Sequence, residues 1–104
     1  MTEMMRRLQE IGIVPVVVLN DAKDALQLGE CLMKGGLPTA EVTFRTDAAE
    51  ESIRQMARAY PDMIVGAGTV LTCEQAQRAI DAGARYIVSP GFNPKVTEYV
   101  LKKG

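Results

Sequence analysis

Apolar residues in this chain come in short blocks separated by longer amphipathic stretches, and the alternation repeats four times. The first block, Ile13-Val14-Pro15-Val16-Val17-Val18-Leu19, is apolar throughout and largely β-branched, which predicts a strand buried on both faces. Pro15 cannot donate to a ladder and belongs near the start of that strand or at an edge. Ala22 to Lys34 then carries Ala25, Leu28 or Gly29, and Leu32 at helical spacing, capped by Asn20 or Asp21 and ended by Gly35-Gly36. The second block, Ala40-Glu41-Val42-Thr43-Phe44-Arg45-Thr46, predicts a short strand. Alternation puts Val42 and Phe44 on one face and Glu41, Thr43 and Arg45 on the other. A helix from Ala48 to Tyr60 follows, with Asp47 as cap, Glu50 at capping-box spacing, and Ile53, Met56, Ala57 and Tyr60 as its buried stripe. Met63 to Gly68 is the third strand, and Thr69 begins the turn beyond it. Thr72 caps the next helix, with Ala76, Ala79 and Ile80 inward and Gly83 at its end. Ala84 to Ser89 predicts a fourth strand, broken by Pro90-Gly91, and Asn93 or Pro94 opens a last helix to about Lys102. Ahead of all this, Glu3 to Glu10 is a short helix or an N-terminal arm.

Strands alternating with helices on short loops imply a parallel sheet with right-handed crossovers. The strands recur at roughly 23-residue intervals, the rhythm of a TIM barrel, whose eight units need about 200 residues or more. The 104 residues hold four units. The expected fold class is therefore α/β: the (βα)4 half of a (βα)8 barrel over residues 1–104, four parallel strands behind a short N-terminal helix. A flavodoxin-like open sheet uses the same units, and spacing alone does not choose between them.

Composition narrows the chemistry. The net charge of −1, with both signs interspersed, argues against a nucleic-acid or membrane surface as partner, and 5% aromatic content leaves little for base stacking. The N-terminus has no apolar signal-peptide core and the longest apolar run is too short to cross a bilayer, so the expectation is a soluble cytoplasmic chain. Cys31 and Cys73 make no metal-spaced pair and no disulfide framework, and both fall in helical segments; buried or neutral thiols are expected. Histidine is absent, so acid–base chemistry must use carboxylate, lysine, tyrosine or water.

In either fold, function gathers where strands hand over to helices. Three handovers here are unusual: Glu41, Thr43 and Arg45; Gly66-Ala67-Gly68-Thr69; and Ser89-Pro90-Gly91. Glu41 lies inside its strand, where a carboxylate must be paired, hydrogen-bonded or protonated. Arg45 could fork to a carboxylate or phosphate, or close a salt bridge at the sheet rim. Two glycines at a strand end clear the backbone for something to approach, and with Thr69 they offer N–H groups and a hydroxyl to an anion; a tight turn would use them equally well. The spacing is neither a dinucleotide fingerprint nor a P-loop, since Leu71 holds the last glycine position and no Gly-Lys-Ser/Thr follows. Ser89 is read as ending its strand, and Pro90 could wall a pocket.

Gly35-Gly36 followed by Glu41-Val42-Thr43-Phe44-Arg45-Thr46, then Val65-Gly66-Ala67-Gly68-Thr69-Val70, then Ile87-Val88-Ser89-Pro90-Gly91, resembles the KDPG/KHG aldolase family. These class I aldolases split 2-keto-3-deoxy-6-phosphogluconate to pyruvate and glyceraldehyde 3-phosphate, or 4-hydroxy-2-oxoglutarate to pyruvate and glyoxylate. The resemblance covers nearly the whole chain but only the first half of the family's barrel. It implies that Glu41 is the general acid/base, working through a water, and that Arg45 and Thr69 hold carboxylate or phosphate oxygens. Gly66 and Gly68 would make room for the pyruvate unit, and Pro90 would line the pocket. It implies no cofactor and no metal, a keto-acid substrate, and a homo-oligomer, trimeric at full length.

One departure accompanies these matches. The family forms its Schiff base on a lysine of the sixth strand. Here Lys23, Lys34, Lys95, Lys102 and Lys103 all fall in predicted helices or loops. The 104 residues are therefore expected to lack aldolase turnover by themselves, as a truncated, split or partial form of the enzyme. Two other functions stay open: a catalytically silent half-barrel that self-associates through bare strand edges, and a flavodoxin-like domain binding phosphate at Gly66 to Thr69.

Overall fold

The computed structural model describes residues 3–89 and 94–103. The elements run α1 (Glu3–Ile11), β1 (Val16–Val17), a 3-10 turn (Ala22–Asp24), α2 (Ala25–Lys34), β2 (Thr39–Thr43), α3 (Ala49–Ala59), β3 (Ile64–Gly68), α4 (Cys73–Ala82) and α5 (Pro94–Lys103). The strands pair in parallel in the order β1-β2-β3. Residues 84–89 run parallel along the free side of β3: the Arg85 and Val88 amides donate to the Val65 and Ala67 carbonyls, and the Ala67 amide donates to Tyr86. Regular pairing there is confined to Ala67 opposite Ile87, so the expected fourth strand is present as a bridge rather than a full ladder. Each strand thus lies beside its predecessor. A flavodoxin-like sheet needs its order to reverse, and the progression 1-2-3-4 is that of a barrel wall.

Alternate residues of the strands face opposite ways. Ala40, Val42, Val65 and Ala67 are fully buried and join Ala49, Ile53, Met56, Ala76 and Ala79 of the helices in one core. The other face carries Thr39, Glu41 and Thr43 in register with Ile64, Gly66 and Gly68. Val16 stands opposite Glu41 on that same face and is 61% exposed; Val18, two residues on, is 47% exposed. The first strand was expected to be buried on both sides. Only its helix-facing side is covered: farther along the inner face Thr39, Thr43 and Ile64 are buried and Tyr86 lies over Gly66, but Val16 and Val18 stay exposed.

β1 is also shorter than its apolar run. The Glu41 amide donates to the Pro15 carbonyl at 2.9 Å, and Thr43 Oγ1 donates to the Val17 carbonyl at 3.2 Å. Thr46 Oγ1 donates to the Leu19 carbonyl, so threonine hydroxyls carry the attachment past the two ladder residues. β2 ends at Thr43, before the expected Thr46: the Phe44 amide still donates to the Gly68 carbonyl at 2.8 Å, and the chain then turns at Phe44 and Arg45.

Capping follows the sequence at two helices and departs from it at a third. Asp21 accepts from the Lys23 amide ahead of α2, and Thr72 accepts from the Gln75 amide at 3.1 Å ahead of α4. Gly83 closes α4 at φ 112°, a conformation that favours glycine. Asp47 does not cap α3; Ala48 is the N-cap residue and offers no side-chain bond. Glu50, assigned to a capping box with Asp47, instead reaches Arg54 at 3.3 Å and Arg78 of α4 at 2.5 Å. Cys31 is exposed rather than buried, and Cys73 is half-buried with its thiol toward the Lys95 carbonyl.

Candidate functional site

The C-terminal ends of β2 and β3 lie side by side, and what stands there follows from register. Glu41 sits opposite Gly66 and Thr43 opposite Gly68. Thr43 is buried and bonded to β1, so it is part of the frame. Glu41 is half-buried, and its side chain lies across Gly68: a Cβ on that glycine would come within 2.4 Å of Glu41 Oε2. No smaller change than the loss of a side chain would admit the carboxylate there. Glu41 has no hydrogen-bond or ion-pair partner among the described residues, which sets this carboxylate apart from the paired Glu50.

Arg45 follows in the turn after β2, exposed and likewise without an ion-pair partner among the described residues. It does not share a strand face with Glu41, as alternation predicted, because the strand has already ended. Thr69 directly follows Gly68 and holds φ 55°, a left-handed backbone conformation that a β-branched residue rarely adopts. Glu41, Arg45 and Thr69 thus lie in or just after two paired strands, and none of them has a side-chain hydrogen bond or ion pair among the described residues. Ser89 serves the frame instead: its hydroxyl donates to the Val70 carbonyl at 2.8 Å. Pro90 lies outside the described residues, as does Gly91.

Gly66 has a neighbour from the fourth segment. The space above it is filled by the ring of Tyr86, whose Cε2 and Cζ would stand 2.2 Å from a Cβ at that position. The room left by the two glycines is thus taken by side chains of this chain, Tyr86 at Gly66 and Glu41 at Gly68. Tyr86 was missed as a site residue, although an aromatic on the strand position beside an inward glycine is a signal for such packing. Thr39 was missed as well; its hydroxyl donates to the Ile64 carbonyl at 2.8 Å and lies 3.4 Å from the Tyr86 hydroxyl. Burial, with the Glu41 charge adding to it, raises the Tyr86 pKa against the opposing effect of the Thr39 hydrogen bond.

None of the five lysines lies on a strand: Lys23 is in the 3-10 turn, Lys34 ends α2, and Lys95, Lys102 and Lys103 are in α5. Among the described residues no three His, Cys, Asp or Glu side chains stand together in a way that could hold a metal ion, and no helix is long and apolar enough to cross a membrane.

Comparison with known proteins places this arrangement. The chain matches the family described as KDPG and KHG aldolase over residues 4–103. It is 45% identical to the 2-dehydro-3-deoxy-phosphogluconate aldolase of Treponema pallidum over all of its own length and 50% of that protein's. The 2-keto-3-deoxy-6-phosphogluconate aldolase of Zymomonas mobilis, solved with 3-phosphoglycerate, superposes with a TM-score of 0.84 at 36% identity, over 95% of this chain and 49% of that one. The Legionella pneumophila KDPG aldolase, solved with pyruvate as a covalent carbinolamine, gives 0.81 at 38% identity, over 86% and 43%. The chain spans about half the length of the relatives it matches, and the parallel strands are one side of their barrel-type fold. By sequence over nearly its whole length and by the order of its strands, the chain belongs to the KDPG and KHG aldolase family.

Proposed function

We propose that these residues form one half of an aldol-cleaving site, with Glu41 as the proton carrier and Arg45 and Thr69 as the anion-holding groups. The observation that carries this is the Glu41 carboxylate, unpartnered among the described residues, resting on Gly68 at the strand end that Thr69 follows. In a retro-aldol step the substrate hydroxyl gives its proton to Glu41 through a water, and the carbon–carbon bond to the adjacent carbon breaks. The released electron pair stays on the pyruvate unit, where an imine formed with a lysine amine accepts it. That amine is not available on a strand of this chain. The captured pyruvate of the Legionella relative supports a pyruvate-type 2-keto acid as substrate, with KDPG and 4-hydroxy-2-oxoglutarate as the candidates. Pro90 completes the pocket lining in this proposal. The free thiols fit a reducing cytoplasm.

A chimera tests the proposal. This chain replaces the matching half of the Treponema relative, and cleavage of KDPG and 4-hydroxy-2-oxoglutarate is followed by pyruvate release. Turnover is expected, with a loss of about 10²–10⁴-fold in kcat on Glu41→Gln. A folded chimera without activity, or one that Glu41→Gln leaves unchanged, overturns the assignment. The 104-residue chain alone, treated with pyruvate and borohydride, is expected to give no covalent adduct; a stoichiometric adduct on one lysine overturns its inactivity.

A second function has its own observation. Val16 and Val18 on one sheet edge are exposed, and so is Val88 (38%) on the other, while among the described residues no strand pairs with the outer edge of β1 or of residues 84–89. Such surfaces recruit a second copy, so in this proposal the chain is a homo-oligomer built through them.

A further inference from the structure

We infer that the Tyr86 ring is the floor that keeps the Glu41 carboxylate over Gly68, making Tyr86 a positioning residue for the proton carrier. The catalytic meaning rests on the role proposed for Glu41; the geometry does not.

Glu41 stands in register with Gly66, and both Gly66 and Gly68 lack side chains, so its carboxylate has two bare stretches of β3 to lie on. It lies on Gly68, nearer the C-terminal end of the strand: a Cβ there would meet Oε2 at 2.4 Å and Cδ and Cγ at 2.9 Å. The alternative resting place is occupied. Tyr86 Cε2 and Cζ would stand 2.2 Å from a Cβ on Gly66, and Cδ2 2.5 Å from it, so this side of the ring lies against the glycine.

The far end of the ring reaches β2. Its hydroxyl lies 3.4 Å from Thr39 Oγ1, on β2 two residues before Glu41 and on the same face. Thr39 Oγ1 in turn donates to the Ile64 carbonyl at 2.8 Å, which holds the threonine in place beside the ring. The tyrosine therefore spans from the fourth segment across β3 to β2, beneath the carboxylate. A swing of Glu41 toward the N-terminal ends of the strands, away from Thr69 and Arg45, meets the ring. The ring, not the hydroxyl, sets the position.

Side-chain NOEs in the isotope-labelled 104-residue chain test this without any need for turnover. The unsubstituted protein is expected to show Glu41 Hγ to Gly68 Hα contacts and Tyr86 ring to Gly66 Hα contacts, and Tyr86→Phe to keep both. Tyr86→Leu is expected to lose the Glu41–Gly68 contacts and gain Glu41–Gly66 ones, with the amide shifts of Ile53 and Met56 unchanged. Adding Gly66→Ala to Tyr86→Leu refills the lower position and is expected to restore the Glu41–Gly68 contacts. Glu41 remaining on Gly68 in Tyr86→Leu overturns the inference, and so does failure of the added alanine to restore it. If Tyr86→Leu does not fold, absence of either contact in the unsubstituted protein overturns it. An inactive chimera with these contacts intact would remove the catalytic role of Glu41 and leave the floor standing.

Discussion

The two faces of the sheet are built from alternate residues of the same strands, yet they have little in common. Toward the helices stand Ala40, Val42, Val65 and Ala67, all fully buried in a continuous apolar core. Away from them stand Thr39, Glu41, Thr43, Gly66 and Gly68, a polar and glycine-rich surface with valines at its margins. The first face could belong to many βα-repeat proteins. The second is unusual for a sheet face: a carboxylate and two glycines in register on neighbouring strands. A period-2 backbone lets stability and chemistry be encoded in the same five-residue strands without competing for positions.

The largest effect separating the faces is expected on stability. Ile53 of α3 is fully buried in the core, and Ile53→Ala should cost about 2–5 kcal/mol through lost contacts and the cavity left behind. Glu41→Gln, on the other face, should stay within about 0.5 kcal/mol, since no partner is lost. Urea midpoints at constant m-value measure both. A Glu41→Gln variant as unstable as Ile53→Ala would mean that the inner face holds the fold together, and the division between faces would fail.

An intermediate effect is expected at the margins of the open face. If a second copy covers Val16 and Val18, each valine contributes about 1.5–3 kcal/mol to association when buried. Val16→Lys with Val18→Lys should then convert an oligomer to a monomer with little change in thermal stability, because both side chains are exposed in the single chain. Size exclusion with light scattering decides it. A monomeric unsubstituted chain at high concentration removes the self-associating function.

What the sequence made legible divides along the same lines. The βα order, both glycine-ended helices and the Thr72 cap were readable because each depends on neighbours in sequence. Glu41, Arg45 and Thr69 were picked out because their chemistry is unusual at strand ends, and the structure brings those ends together. Three features were not readable. The shortness of β1 depends on what covers its second face, which no local pattern encodes. Asp47 had the right residue and spacing for a cap, but Glu50 found Arg78, 28 residues away on α4. Gly66 signalled empty space, and only the register of the fourth segment reveals that Tyr86 fills it.

The smallest effect concerns how the covered face is closed at its rim. Glu50 links α3 to α4 through Arg78 and also pairs within α3 to Arg54. The Arg78 hydrogen bond, helped by Arg54 and opposed by desolvation, holds the Glu50 carboxyl below its ordinary pKa. A carboxylate depressed in the folded state adds stability that is fully present above its unfolded pKa and is lost as pH falls through the folded one. Glu50 is 24% exposed and Arg78 49%, so solvent screens the network and its contribution should be the smallest of those compared. Melting temperatures from pH 6 downward are expected to fall for the unsubstituted chain as Glu50 protonates, and to fall less for Glu50→Gln, which begins without the ion pairs. Identical acid sensitivity in the two proteins would show that the helices are held on the sheet by the apolar core alone. The charges bridging α3 and α4 would then be surface decoration, and the covered face would owe its closure entirely to residues such as Ile53, Met56, Ala76 and Ala79.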